Sequence, residues 1–328
     1  MTDLASAPAP LPFGRRFKRF MSDNPLIPLL VLLVLLIVVL HFIRPGIINA
    51  RWAAQTVQFA IPLALLAGCQ TITMLTGGID MSAGTVASVS AFVLGSQVLH
   101  HDPAVAILIA MAPALLVGIV NGIGVGVFRV HPLIMTLGTG LIAFGALQVY
   151  QRTVIATGFE VPGWLEWLGT GNTAGFPNSL LVFVPLAALI ILTLRYTGFG
   201  RLLYAVGDNE KASRLSGVQY WKVILALYVC SSLLAGVTGL LFLGLIKTAS
   251  LTLVDPQLLP AVAAAVIGGT SIFGGRGGYI GTIVGALILR VITTMLTVMQ
   301  IPEGARMIIF GSIILLVTAA YLRIIEDR

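Results

Sequence analysis

The feature that most constrains this chain is the unbroken apolar stretch from Leu26 to Ile43, and its repetition down the sequence. A membrane span needs ~20 apolar residues. Further apolar runs lie at roughly 53–76, 84–99, 104–128, 133–151, 179–195, 221–245, 258–273, 279–299 and 304–322, which makes ten candidate spans. Only 9% of the 328 residues are charged, against roughly 25% in a soluble globular domain. So few charges cannot cover a water-facing surface. An ordinary cytosolic enzyme, a disordered protein and a disulfide-stapled secreted module are thereby excluded. The reading is an all-α polytopic membrane protein of about ten transmembrane helices.

Residues 1–25 are polar and Pro-rich and carry Arg15, Arg16, Lys18 and Arg19. A basic region before an apolar run is also the layout of a signal peptide. This run is long and no small-residue cleavage site follows, so it reads as a retained first span. Orientation follows from the excess of Lys and Arg in cytoplasmic loops. With the N-terminus inside, thirteen of the nineteen basic residues fall inside and five outside, and Arg290 falls within a span. The expected topology is N-in and C-in. It has a cytoplasmic basic tail at 1–25, a membrane domain at 26–322 and a short cytoplasmic tail at 323–328. Residues 152–178 form an external loop, and 195–221 a cytoplasmic one. The formal charge of +7 reads as this loop bias, not as nucleic-acid binding.

The polar residues exclude several chemistries. There is no G-x-x-x-x-G-K-[ST] loop, no G-x-S-x-G elbow and no G-x-G-x-x-G turn. Cys69 and Cys230 stand alone in apolar runs. The histidines form no H-E-x-x-H, so no metal ligand set is expected. Acids in or beside spans are few (Asp80, Asp255, Glu303), which argues against ion coupling. No catalytic residue is expected. If solute moves uphill, the energy comes from a partner.

Three motifs carry information. Gly77-Gly78-Ile79-Asp80-Met81-Ser82-Ala83-Gly84 breaks the second apolar run from the third. Asp80 or Ser82 can cap the free N–H groups of the next helix, or these polar groups and broken ends can face a transport path or gate. This region and 258–273, which is short and ends in glycines, can each be re-entrant or half-helical. In the loop Gly198–Val218, Gly207-Asp208-Asn209 reads as a turn. Glu210 to Leu215 reads as a short helix capped by Asp208 or Asn209 and closed by Gly217. Held between two spans, it can carry force from a cytoplasmic partner, or be a solvated connection. In the third motif Gly277, Gly281 and Gly285 recur every fourth residue and predict one flat helix face for close packing. Outside, Val161 to Leu168 reads as a short amphipathic piece with Trp164 and Trp167, either a surface anchor or a docking surface. Arg290 is costly near mid-span. It either faces a central cavity, joins a structural ion pair, or lies closer to an interface.

Together these motifs resemble the permease subunits of bacterial carbohydrate ATP-binding-cassette importers, of the ribose, galactose and xylose type. The resemblance covers residues 40–322. It rests on G-G-I-D-x-S-x-G at 77–84 and on G-G-T-S-x-x-G-G-x-G-x-x-x-G-T-x-x-G-A at 268–286. It rests also on the pattern from Asp208 to Gly217, where Asp208 replaces a usual Gly, and more weakly on Val120-Asn121-Gly122. It implies an importer permease fold in the bacterial inner membrane, alternating access driven by a separate ATPase, and no cofactor on this chain, with ATP and Mg in the ATPase. It also implies three partners: the ATPase subunits, an extracytoplasmic sugar-binding protein, and a second permease copy or paralogue. By this likeness Asn209, Glu210, Ala212, Arg214, Leu215, Ser216 and Gly217 would form the coupling helix on the ATPase. Gly77, Gly78, Asp80, Ser82 and Gly84 would border the translocation path. The expected solute is a monosaccharide. A nucleoside or furanosyl signal molecule is the alternative, and an ion-coupled carrier a more distant one.

Overall fold

A computed structural model describes residues 26–154, 158–248, 250–302, 304–312 and 315–316. The tails at 1–25 and 323–328, and residues 313–314 and 317–322 of the last apolar run, lie outside the described residues. The described chain is helical apart from loops and one two-residue hairpin, β1 (Asn172–Thr173) with β2 (Phe176–Pro177). The helices, numbered in chain order, are α1 (Leu26–Ile43), α2 (Ala50–Met74), α3 (Ala83–Gln97), α4 (Pro103–Gly126), α5 (Pro132–Val154), α6 (Gly163–Thr170), α7 (Leu180–Tyr196), α8 (Gly198–Asp208), α9 (Glu210–Leu215), α10 (Tyr220–Ile246), α11 (Leu258–Ile267) and α12 (Tyr279–Val298).

Their ends follow local chemistry. Asn49 caps α2 by accepting from the Trp52 N–H at 2.9 Å. Pro103 opens α4, where its missing N–H costs nothing. Asn209 caps α9 by accepting from the Ala212 N–H at 3.0 Å, and Gly217, at φ +87°, turns the chain away.

Burial sorts the helices into a centre and a rim. α2, α3 and α10 are mostly buried, whereas α1, α4 and α5 present most of their side chains outward. The large outward residues are mostly Leu, Ile, Val and Phe, as lipid contact requires. One close central seam joins α4 to α10. Gly118, Gly122 and Gly126 form a stripe on α4, and a Cβ on Gly122 would lie 2.7 Å from the Leu225 Cα. Glycine alone lets these backbones approach so closely.

Two features differ from the sequence reading. Among the described residues six helices are long and apolar enough to cross a membrane, or seven if α7 and α8, bent by 67° at their junction, are taken as one span. α3 has 15 residues and α11 has 10. At 1.5 Å per residue they reach about 22 Å and about 15 Å, short of a ~30 Å core. Each is a half-helix joined to an irregular half. The second difference concerns the packing glycines. Gly281 and Gly285 do lie on α12 against the Gly268 and Ala264 backbone of α11, where a Cβ would overlap a carbonyl oxygen. Gly277 is not on that face. It precedes the helix at φ +138° and abuts Thr270, because the Gly274-Gly275-Arg276-Gly277 run is a turn with left-handed residues.

Candidate polar centre and cytoplasmic coupling site

Asp80 is fully buried between the end of α2 and the start of α3. Its Oδ1 accepts from the Ser82 N–H at 3.0 Å and the Ser82 hydroxyl at 2.5 Å, and its Oδ2 from the Ser231 hydroxyl of α10 at 3.0 Å. Ser82 Oγ accepts in turn from Asn121 Nδ2 of α4 at 3.0 Å. Asn121 Oδ1 accepts from Thr139 of α5 at 2.6 Å. The backbone of the break is held as firmly. The Gln70 amide donates to the Asp80 carbonyl at 2.7 Å and accepts from its N–H at 3.3 Å. The Thr136 hydroxyl donates to the Ile79 carbonyl and accepts from the Met81 N–H. Five helices thus converge on one non-helical tripeptide, and the Asp80 carboxylate and both of its backbone groups have partners, as burial demands.

Ser82, the residue before α3, makes no side-chain cap bond to that helix, and the Asp80 carboxylate accepts from the N–H of Ser82 itself. Neither side chain reaches a surface. Gly84 is also buried, and among the five break residues only Gly77 is exposed.

Gly77 belongs to a second assembly, at the end of α2. There the two glycine motifs meet. The Gly275 N–H donates to the Leu75 carbonyl at 3.0 Å. A Cβ on Gly274 would lie 2.8 Å from the Gly207 carbonyl oxygen and 3.0 Å from the Gly77 nitrogen. Gly207 of α8 presses against both turns, leaving no room for a side chain. The Tyr204 hydroxyl adds a bond to the Gly277 carbonyl at 2.9 Å. Gly207 and Asp208 are therefore the last residues of α8, not part of a free turn, because the helix continues until Asn209 leaves it to cap α9.

α9 projects beyond this contact. Glu210 pairs with Arg129 at 2.5 Å and lies 3.8 Å from Arg214. Arg129, at φ +60° between α4 and α5, stacks its guanidinium 3.8 Å from the Tyr220 ring centroid. Ser213 faces inward and donates to the Ala205 carbonyl at 2.8 Å. Leu215 is 90% exposed, a large apolar side chain held outward next to Arg214 and Ser216. α9 is thus fixed to the membrane helices on one side and offers a mixed apolar and basic face on the other.

On the opposite side α6 is strapped over the ends of α2 and α10. Gln58 donates to the Gly169 carbonyl at 2.6 Å, Lys247 pairs with Glu166, and Gly169 and Gly244 admit no Cβ against each other's helices. Arg290 lies between α12 and α2 with its guanidinium carbon 4.4 Å from the Phe59 ring centroid. Its Nε has no hydrogen-bond partner among the described residues. It forms no ion pair with a described acid.

Several of these residues escaped the sequence reading. Gln70, Thr136, Thr139 and Ser231 are polar residues inside apolar runs, and that placement was the available signal. Gly207 was visible only as a turn residue.

The chain was compared with known proteins. The profile of the family described as "Branched-chain amino acid transport system / permease component" matches residues 53–318. The ribose import permease protein RbsC of Escherichia coli K12 is 34% identical over 256 residues, 77% of this chain and 80% of that protein. The RbsC protein of Bacillus subtilis is 32% identical over 77% of this chain and 79% of its own length. The fructose import permease protein FrcC of Rhizobium meliloti is 29% identical over 80% of this chain and 75% of its own. No solved structure matches the chain.

Proposed function

The chain belongs to the branched-chain amino acid transport system permease-component family, and we propose that it is the membrane-spanning subunit of a sugar importer powered by a separate ATPase. It is a transport subunit, not an enzyme, and a multi-pass protein of the bacterial inner membrane. The relatives named for ribose and fructose import support a sugar as solute, and a monosaccharide is the reading we favour. The alternative is the same kind of importer for a nucleoside or a furanosyl signal molecule.

In this reading ten crossings, counting the half-helix pairs and the 304–322 run, leave both termini in the cytoplasm. Residues 195–221 face the ATPase. Asn209, Glu210, Ala212, Arg214, Leu215, Ser216 and Gly217 form the helix that seats on it. ATP and Mg are bound by that partner. An extracytoplasmic sugar-binding protein delivers solute to the external face around α6, and a second permease copy or paralogue completes the pathway.

The observation that carries the proposal is the seating of α8 on both glycine turns. α8, which leads into the helix that this reading turns toward the ATPase, is in main-chain contact through Gly207 with Leu75 at the end of α2 and with the Gly275 turn after α11. A push on α9 reaches the membrane centre without passing through a flexible side chain. The test is reconstitution in liposomes with the ATPase and binding protein. Uptake of ribose or fructose that requires ATP supports the proposal. Uptake by this chain alone, driven by an ion gradient, favours a secondary carrier and overturns it.

A further inference from the structure

Asp255 is half-buried, not enclosed. Two helices measure its depth. α11 begins three residues after it and descends about 15 Å to the Gly268 turn, near where Gly275 bonds Leu75 at the cytoplasmic end of α2. In the other direction Thr85, whose hydroxyl donates to Asp255 Oδ1 at 3.3 Å, is followed by about 18 Å of α3 before Gln97 at its outer end. Asp255 is therefore near the middle of a ~30 Å hydrocarbon layer.

Among apolar neighbours such as Val254 and Leu258, the polar ones are open. Thr85 and Gln257 are half-buried, and Pro256 and Thr252 are exposed. No Lys or Arg among the described residues pairs with Asp255. Position at the first turn leading into α11 explains an acid there, but not its exposure. A half-exposed carboxylate without a cation cannot face lipid at this depth. Such groups face water-filled space. By contrast, the groove between α3, α4 and α5 is lined mostly by apolar residues such as Val93, Ile109, Leu116 and Ile142, and its polar members Gln97, Thr139 and Tyr150 already bond within the protein, which leaves a hydroxylated solute few partners.

We propose that the solute path runs over the surface formed by Thr85, Asp255 and Gln257, with the opposite wall supplied by the second permease chain. This rests on the importer reading and moves the solute contacts from the enclosed Asp80 and Ser82 to this open turn. A carboxylate, an amide and a hydroxyl accept from and donate to neutral hydroxyl groups, whereas an anion is repelled by Asp255. The fitting solute class is uncharged and hydroxyl-rich.

The test introduces cysteines one at a time in a Cys230→Ser background, where the one remaining native thiol, Cys69, is fully buried and serves as the unreactive baseline, in the reconstituted importer with its ATPase and binding protein. The probe is a permanently charged methanethiosulfonate reagent. Gln257→Cys and Thr85→Cys are expected to react at least tenfold faster than Leu189→Cys, an exposed residue in the middle of α7, and their reaction should block uptake. Asp255→Asn is expected to assemble with the ATPase yet lose most uptake. Equal, slow reaction at all three cysteines overturns the inference even where uptake depends on ATP. Fast reaction at positions 85 and 257 in a chain whose uptake needs no ATPase instead refutes the importer reading and leaves the open polar face standing.

Discussion

Gly207 on α8 abuts the carbonyl oxygen of Leu75 at the end of α2, and a Cβ at position 207 would overlap that oxygen. The same carbonyl accepts from Gly275 at 3.0 Å, so a side chain at 207 pushes two turns apart at once. Overpacking of this kind costs about 1–3 kcal/mol. Gly207→Ala is expected to lower the thermal midpoint of the purified permease and the number of sugars moved per ATP. Gly198→Ala, at the start of the same helix with open space beside it, should change neither. Melting curves and the ratio of uptake to hydrolysis check both.

Asp80 is the shared acceptor for Ser82 and Ser231. Asp80→Ala strands their buried hydroxyls and the Ser82 N–H, and each unsatisfied group costs about 1–3 kcal/mol. Asp80→Asn keeps one acceptor oxygen and should lose less. The expected order of thermal stability is wild type, then the Asn variant, then the Ala variant. An Ala variant as stable as wild type would show that the network does not hold the break.

Much of this arrangement was legible in the sequence because the bilayer leaves few choices. A segment crossing lipid must be apolar and helical, so the ends of α1, α2, α4, α5, α7, α10 and α12 fall close to the ends of the apolar runs. Local chemistry was legible too: Asn209 caps α9 and Gly217 closes it, and both effects act within a few residues. What could not be read was which face of one helix meets which face of another. Asp80 gave no sign that Ser231 lies opposite it, nor Leu75 that Gly275 does. The periodic glycines show the limit well. Gly277, Gly281 and Gly285 keep the spacing but not one helix, whereas Gly118, Gly122 and Gly126 form a true stripe. Spacing predicts a shared face only where the helix is continuous, and the positive φ at Gly277 ends that continuity.

The α4–α10 seam gives a third prediction. A Cβ on Gly122 would lie 2.7 Å from the Leu225 Cα, and a larger side chain has nowhere to turn. Gly122→Leu should abolish accumulation of folded permease in the membrane. Gly138→Ala on α5, with nothing within 4 Å, should be neutral or stabilising by up to about 1 kcal/mol. Size-exclusion profiles of the solubilised variants separate the two.

The last prediction concerns Glu210. It bridges Arg129 of the membrane helices and Arg214 of α9, and all three side chains are partly exposed. Exposed pairs contribute about 0–1 kcal/mol, so breaking them should scarcely change the stability of the permease alone. Their effect should appear in how α9 is presented to the ATPase. Glu210→Ala with Arg214→Ala removes the link to Arg129 and half the charge of the outward face. It is expected to reduce co-purification of the ATPase and ATP-driven uptake together, with the melting curve unchanged. Leu215→Asp, which replaces the most exposed large apolar side chain on α9, should act in the same direction. Exchanging the partners, as Arg129→Glu with Glu210→Arg, restores the tie to the membrane helices while placing a cation beside Arg214. It should recover uptake only in part. Undiminished ATPase binding and uptake in the double alanine variant would refute the assignment of α9 as the coupling helix.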